Sequence, residues 1–534
     1  MFMTIGVYDR AIVAAYFIAV LAIGFTLRRR IHNSADYLLT DRSLPLWVTG
    51  IAFMAANVGS LEMLGMVASS AKYGMIVNQF YWIGAIPPMV FLGVFMMPFY
   101  YRNNIRSVPE YLKVRFDNRA HALNALTFIV MTILMSGINM FALAIVFKTM
   151  LGWSFNSSVL ISAGVVMVYT SLGGLSSSIY NEVLQFFLIV VGFLPLSFFS
   201  YRAAGGWRGL HEKLAAPMLH TWQNTASGAN NAIGANWFAI SFGLGFVMSF
   251  AYWCTDFLLV QRAMAARSLV DARRTPLVAA IPKMFFPLLV TLPGLCAAVI
   301  FGDKLKSDYN AALPMLLERF YGPGLLGLGL VALLASFMSG MAGNITAFNT
   351  IWTYDLYEHY IAPGKTDRHY LLVARMATIA GTVLSIGTAY IVLRFDNLMD
   401  YMQLIASFFI SPLFATFSLG MFWHRANGVG AFYGMIAGIV GSMGHYLAYR
   451  AGMLHYKTPM AADFYGAMTG WTAAMTVTIL VSLFTPPPSS DKLGTLVYCN
   501  HTKADSGSRR WYNSVGFQGI CILAGALILN ILFW

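Results

Sequence analysis

Two side chains of opposite charge, Glu62 and Lys283, fall within runs of residues otherwise apolar enough to cross a lipid bilayer. An ionisable group at that depth costs about 2.5–3.5 kcal/mol on insertion scales, so by default it marks a solute or ion pathway. A carboxylate and an ammonium that meet there reduce the burial cost of both. The same kind of run carries Asn57, Gly59 and Ser60 at mid-depth of one helix, and Gly243, Gly245 and Ser249 in another. Small residues at such depth let backbone carbonyls turn from their own helix toward a ligand. The plainer reading of the glycines is close helix packing. Charges and carbonyl dipoles in a dry interior suit recognition and translocation. Catalysis is not expected, because no His/Asp/Glu cluster has triad or metal spacing.

The chain that must position these groups has 534 residues, 58% hydrophobic and 10% charged, with a mean hydropathy of +0.66. That usage is far from a soluble domain's and reads as one helical membrane domain over 1–534. Helices are expected near 10–28, 45–71, 76–101, 120–150, 157–172, 179–202, 236–257, 275–302, 314–354, 369–394, 397–423, 428–450, 462–484 and 515–534. That makes about fourteen spans, each able to cross ~30 Å of hydrocarbon at 1.5 Å per residue. With the N-terminus outside, twenty Lys and Arg fall on inner loops and twelve outside or at outer helix ends, leaving Lys283 and Arg375 within spans. The bias has the positive-inside sign and puts both termini on the extracytoplasmic side of the cell membrane.

The net charge of +13 does not indicate a nucleic-acid partner, because the bases cluster on no soluble unit. Cys254, Cys296, Cys499 and Cys521 have no metal or disulfide spacing. The first apolar stretch lacks a clear cleavage site and reads as a retained helix rather than a signal peptide. Residues 203–235 read as an outer loop, and 485–514, opening with Thr485-Pro486-Pro487-Pro488, as a polar, poorly ordered inner linker.

Eight short motifs occur in order between about residues 10 and 450. They are Ala35-Asp-Tyr-Leu-Leu-Thr-Asp-Arg-Ser43, Ala56-Asn-Val-Gly-Ser60, Val108-Pro-Glu-Tyr-Leu-Lys-Val-Arg-Phe116 and Tyr169-Thr-Ser-Leu-Gly-Gly-Leu175. Tyr252-Trp-Cys-Thr-Asp256, Val260-Gln-Arg262, Thr353-Tyr-Asp-Leu-Tyr357 and Phe422-Trp-His-Arg425 follow. Together they resemble the sodium:solute symporter family, and the Tyr252 and Val260 motifs resemble its sodium–glucose cotransporter branch.

The resemblance implies a LeuT-type core of two five-helix inverted repeats, here 45–202 and 236–423. An extra helix at 10–28, flanking helices over 428–484 and a last helix at 515–534 would surround it. The first helix of each repeat would be broken near the bilayer middle. It also implies a sodium site built from the carbonyls of Ala55, Val58 and Ser336 and the hydroxyl of Ser339. Hard oxygens replace the hydration shell of a hard cation. The next position, Ser or Thr in the family, is Gly340 here, which removes one oxygen unless a water fills the space. The bland alternative is that Ser339 satisfies a carbonyl of its own helix.

The family's solute ligands carry over to Asn57, Lys283 and Gln403, and its inner-gate aromatic to Tyr252 beside Trp253. Two positions depart from the pattern. Tyr81 stands where the family has a sugar-binding Glu, and Glu62 where the glucose branch often has His. Losing that acceptor at Tyr81 points to a solute richer in acceptors than glucose, such as a sugar acid. The alternative readings are a snorkelling Lys283 and a Gln403 that serves helix packing. Glu182 stands where the family has an Asp near the inner ion-release path; the alternative is an interfacial carboxylate at a helix start. His445 and Arg375 read as satisfied polar residues of flanking helices. The expected function is sodium-coupled symport of a small polar, sugar-like solute by alternating access, with the lipid bilayer as its setting and no cofactor beyond sodium. Proton coupling through Glu62 or Glu182, uncoupled transport and a non-transporting solute sensor remain as alternatives.

Overall fold

In hydrocarbon a backbone can satisfy its polar groups only within itself, so long apolar runs fold as helices. The computed structural model describes residues 6–29, 31–103, 105–228, 230–395, 398–489, 493–498 and 511–534, and over these the chain is helical, without a β-strand. Ten of the described helices are long and apolar enough to cross a membrane, or eleven if one bent pair counts as a span. The expected fourteen are not reached by that measure. Leu46–Asn57 and Phe155–Val168 are apolar but shorter.

The interruptions position the site. Helix Leu46–Asn57 ends at Asn57, and Val58 leaves helical geometry at φ −82°, ψ 68°. The chain resumes as a π-helical turn, Leu61–Gly65, and then helix Met66–Tyr73. π-Turns disturb the carbonyl ladder and often accompany functional sites. In the other half, the break is not at the glycines. Ala239–Met248 is a continuous π-helix leading into Ser249–Thr255, and the chain bends by 48° at Asp256 before Phe257–Met264. Asp256 makes the break by capping the next helix, its carboxylate accepting from Leu258 N. Gly243 instead lets the helix approach Phe464 and Met468, and Gly245 approaches Ile83. These two glycines follow the close-packing reading.

Phe155–Ala203 runs as one helix across a kink at Gly174, whose φ of 53° and ψ of −146° suit only glycine. A Cβ there would lie 2.3 Å from the Tyr37 carbonyl oxygen. At the centre runs Leu325–Thr350, continued by the π-helix Ile351–Ile361. Its most apolar stretch is 89% buried, against 22% for Val7–Arg28 and Val515–Leu532, which therefore lie at the periphery. The first helix is nevertheless tied to the central one. Asp9 Oδ1 accepts from Gly324 N and Gly327 N, both at 2.7 Å, and so caps the start of Leu325–Thr350. Tyr16 hydroxyl contacts Met338 Sδ and accepts from Gln185 Nε2.

Of the expected linker 485–514, residues 490–492 and 499–510 (including Lys492, Cys499, Lys503, Arg509 and Arg510) lie outside the described residues, as does Arg30. Residues 496–498 within it pack against the helices. Val497 is fully buried, the Leu496 carbonyl accepts from the Tyr111 hydroxyl at 3.1 Å, and Tyr498 packs on Phe95 and Phe422.

Candidate functional site

The interruption after Asn57 and the helix Leu269–Phe285 bring the two membrane charges together. Lys283 Nζ donates to Glu62 Oε1 at 2.6 Å and to Asn57 Oδ1. Both side chains are buried, so Lys283 does not snorkel. The ammonium also lies 4.9 Å from the Tyr81 ring centre, 5.3 Å from Phe286 and 5.5 Å from Trp253, where aromatic faces stabilise a desolvated cation. Asn57 Nδ2 donates onward to the Tyr252 hydroxyl at 3.1 Å, linking the broken helix of the first half to the bent helix of the second. Trp253 stacks on Phe53, with ring centres 6.0 Å apart.

Asn57, Glu62, Tyr81, Tyr252, Trp253, Lys283 and Gln403 all line one cavity of about 80 Å³. Its mixed lining also includes Ser249, Met399 and Met402. The Tyr81 hydroxyl is buried beside the Glu62 carboxylate, the acceptor it faces. It is a donor that can turn from that carboxylate to a solute in the cavity.

A second convergence lies where the break meets the central helix. Ser339 Oγ donates to the Ala55 carbonyl at 3.0 Å, so it does not serve its own helix. Ser336 Oγ donates to the carbonyls of Val58 at 3.0 Å and Gly59 at 2.9 Å. The sequence pointed to Ser336 for its carbonyl; its hydroxyl is in contact as well. A hydroxyl can turn its proton aside and present a lone pair, so these groups can pass from bridging the helices to facing a cation. The donor set is all hard oxygen, which fits sodium. Gly340 does not open a water-sized gap. A Cβ there would lie 2.8 Å from Asn139 Oδ1 and 3.0 Å from Asn139 Cγ.

Glu182 lies within Phe155–Ala203, past the kink at Gly174, rather than at the start of that helix. It is fully buried, bound by Arg262 through Nη2–Oε1 at 2.5 Å and Nε–Oε2 at 3.2 Å, and it accepts from Ser178 Oγ at 2.8 Å. Arg262 belongs to a motif already noted, Val260-Gln-Arg262, but its partner is set by the bend at Asp256 and so was not foreseeable. His445 is satisfied by the Tyr456 hydroxyl at 2.9 Å, whereas Arg375 Nε has no hydrogen-bond partner among the described residues.

The sodium:solute symporter family model matches residues 37–438, well over half of the sequence. The chain belongs to this family. As a symporter-family member it is a transporter, not an enzyme. It is 28% identical over 473 residues to the sodium/glucose cotransporter 2 of Rattus norvegicus, covering 81% of this chain and 70% of that one. It is likewise 28% identical to the sodium/myo-inositol cotransporter of Canis lupus familiaris, covering 92% and 75%. A sodium-coupled sialic acid symporter, solved in a substrate-bound outward-open state, aligns with a TM-score of 0.77 at 19% identity over 91% of this chain and 99% of that one. That likeness establishes the fold, an all-helical LeuT-type membrane architecture.

Proposed function

We propose that this symporter couples sodium entry to uptake of a neutral, polyhydroxylated solute of hexose or cyclitol type. The observation that carries the reading is the closed Lys283–Glu62 pair in a buried polar cavity. Lys283 spends its charge on Glu62, so no cation is left over to favour an acidic sugar. The expectation of a sugar acid gives way to a neutral ligand. A pair of neighbouring hydroxyls suits the site: one accepts from Lys283 and Tyr81, the other donates to the carboxylate oxygen of Glu62 that Lys283 does not engage. Gln403 supplies two further donors and an acceptor. The sodium/myo-inositol and sodium/glucose relatives carry names of this ligand class, which supports the choice.

Sodium is bound, in this reading, by Ala55, Val58, Ser336 and Ser339, next to the break that also holds Asn57. Ion and solute thus act on one segment of backbone, which is what coupling requires. Tyr252, tied to Asn57, closes one side beneath the solute, and 45–202 and 236–423 serve as the two repeats that rock about it. The basic loops face the cytoplasm and both termini lie outside. Glu182, held by Arg262 and Ser178, ties two helices together in this reading.

Uptake by proteoliposomes tests the reading, with sodium and proton gradients imposed separately. Glucose, galactose, myo-inositol and their acidic counterparts form the panel. A sodium gradient is expected to drive a neutral member, with Lys283→Ala and Gln403→Ala inactive but folded. Uptake of acidic sugars alone, or driven only by protons, would refute it.

A further inference from the structure

The central helix lacks a hydroxyl at Gly340, and the space that a side chain there would need is filled from a third helix, Asn118–Leu151. Asn139 reaches in so that its amide oxygen lies 2.8 Å from a Cβ at residue 340 and 2.7 Å from a Cβ at Gly59. Glycine on both sides is what admits the amide. The oxygen is oriented by two donors from the break itself, Ser60 N at 2.9 Å and Ser60 Oγ at 3.0 Å. Its nitrogen is held by the Met135 carbonyl at 3.2 Å, so the group cannot flip without losing all three contacts. The Ser60 hydroxyl can rotate away and release a lone pair, leaving the amide oxygen beside the carbonyl-bearing break. An amide oxygen is a hard ligand of the kind sodium takes.

We propose that Asn139 supplies the sodium ligand that residue 340 lacks, by exchange of a hydroxyl on the central helix for an amide on a neighbouring one. This rests on the sodium-coupled reading above. It replaces the idea of a water at Gly340. With Asn139 in place, a serine at 340 collides with the amide and does not tighten sodium binding.

The test is sodium-dependent thermal stabilisation of the purified, detergent-solubilised protein, with choline replacing sodium and no solute present. Asn139→Ala is expected to raise the half-saturating sodium concentration about tenfold or more, equivalent to ~1.4 kcal/mol. Gly340→Ser alone gives no gain, while the double variant Asn139→Ala with Gly340→Ser regains most of the affinity, because the hydroxyl now has room. A purely structural asparagine would not be rescued in this way. Asn139→Asp keeps the oxygen and its two contacts with Ser60 while giving up the donation to Met135, binds sodium at least as tightly as wild type, and decides the matter if Asn139→Ala does not fold. Wild-type sodium affinity in Asn139→Ala, tighter binding in Gly340→Ser alone, or no rescue in the double variant would overturn the assignment. Ser339→Ala separates the two levels. If it abolishes sodium stabilisation while Asn139→Ala does not, only the ligand assignment fails. If sodium stabilises not even the wild type, the sodium-coupled reading fails with it.

Discussion

Removing one partner of the Lys283–Glu62 pair should harm the protein more than removing both. The side chains are 3% and 11% exposed, and the closest contact is 2.6 Å, so each charge has been exchanged from water to one partner. Breaking such a pair typically costs about 3–5 kcal/mol, because the survivor remains buried and uncompensated. Replacing both members by neutral groups of similar volume is often nearly neutral. Lys283→Met leaves the Glu62 carboxylate without its only cation and removes a donor from Asn57. Glu62→Gln is milder, since the amide oxygen still accepts from Lys283 but without the charge. The double variant Lys283→Met with Glu62→Gln should recover most of the stability lost in Lys283→Met, with an interaction energy of roughly 1–3 kcal/mol in the cycle. Fluorescence-detected size-exclusion after heating gives the midpoints, and uptake by the same preparations gives the function. All three variants should be inactive. If Lys283→Met is as stable as the double variant, the pair is not an energetic unit. An active double variant would show that the solute does not bind through it.

Three further outcomes follow from the geometry. Gly174→Ala places a side chain where only glycine is tolerated and 2.3 Å from the Tyr37 carbonyl; a loss above about 1–3 kcal/mol is expected, read as lower yield and midpoint, and unchanged stability would contradict the kink. Arg262→Lys replaces a bidentate fork on Glu182 by a point charge and should lower uptake, whereas wild-type uptake would show that the fork is dispensable. Tyr252→Phe removes the link to Asn57 and should cost about 0.5–1.5 kcal/mol, up to roughly tenfold in half-saturating solute. An unchanged value would place the closure of the cavity elsewhere.

Glu62 and Lys283 were legible because a charge in an apolar run is conspicuous at any register, and the seven residues that line one cavity were named together through the family resemblance. Ser339 was named beside Ala55 through the same resemblance, and the two are in contact. Asn139 was not: a lone amide in the long helix Asn118–Leu151 has no local pattern that says which neighbour it faces. The only hint was small and polar company, Ser136 and Gly137, in mid-span. Arg262 was seen as a motif member but not as a partner, since its reach to Glu182 depends on the 48° bend at Asp256. That bend was missed because glycine is the usual signal for a break, while here a capping carboxylate makes it and the glycines serve contact with Phe464 and Ile83. The position of a break is set by which backbone groups find partners after folding, and composition does not report that.

The cap that Asp9 places on Leu325–Thr350 gives the first helix a use to the experimenter. Bound at its start to Gly324 and Gly327, and at mid-length to Met338 and Gln185, it travels with the helix that carries Ser336 and Ser339. A spin label or fluorophore on the lipid-facing side of Val7–Arg28, at Ile18 for example, therefore sits on a fixed origin. Distances measured from it to a second label at the far end of Met66–Tyr73 report how the broken helix moves against that origin.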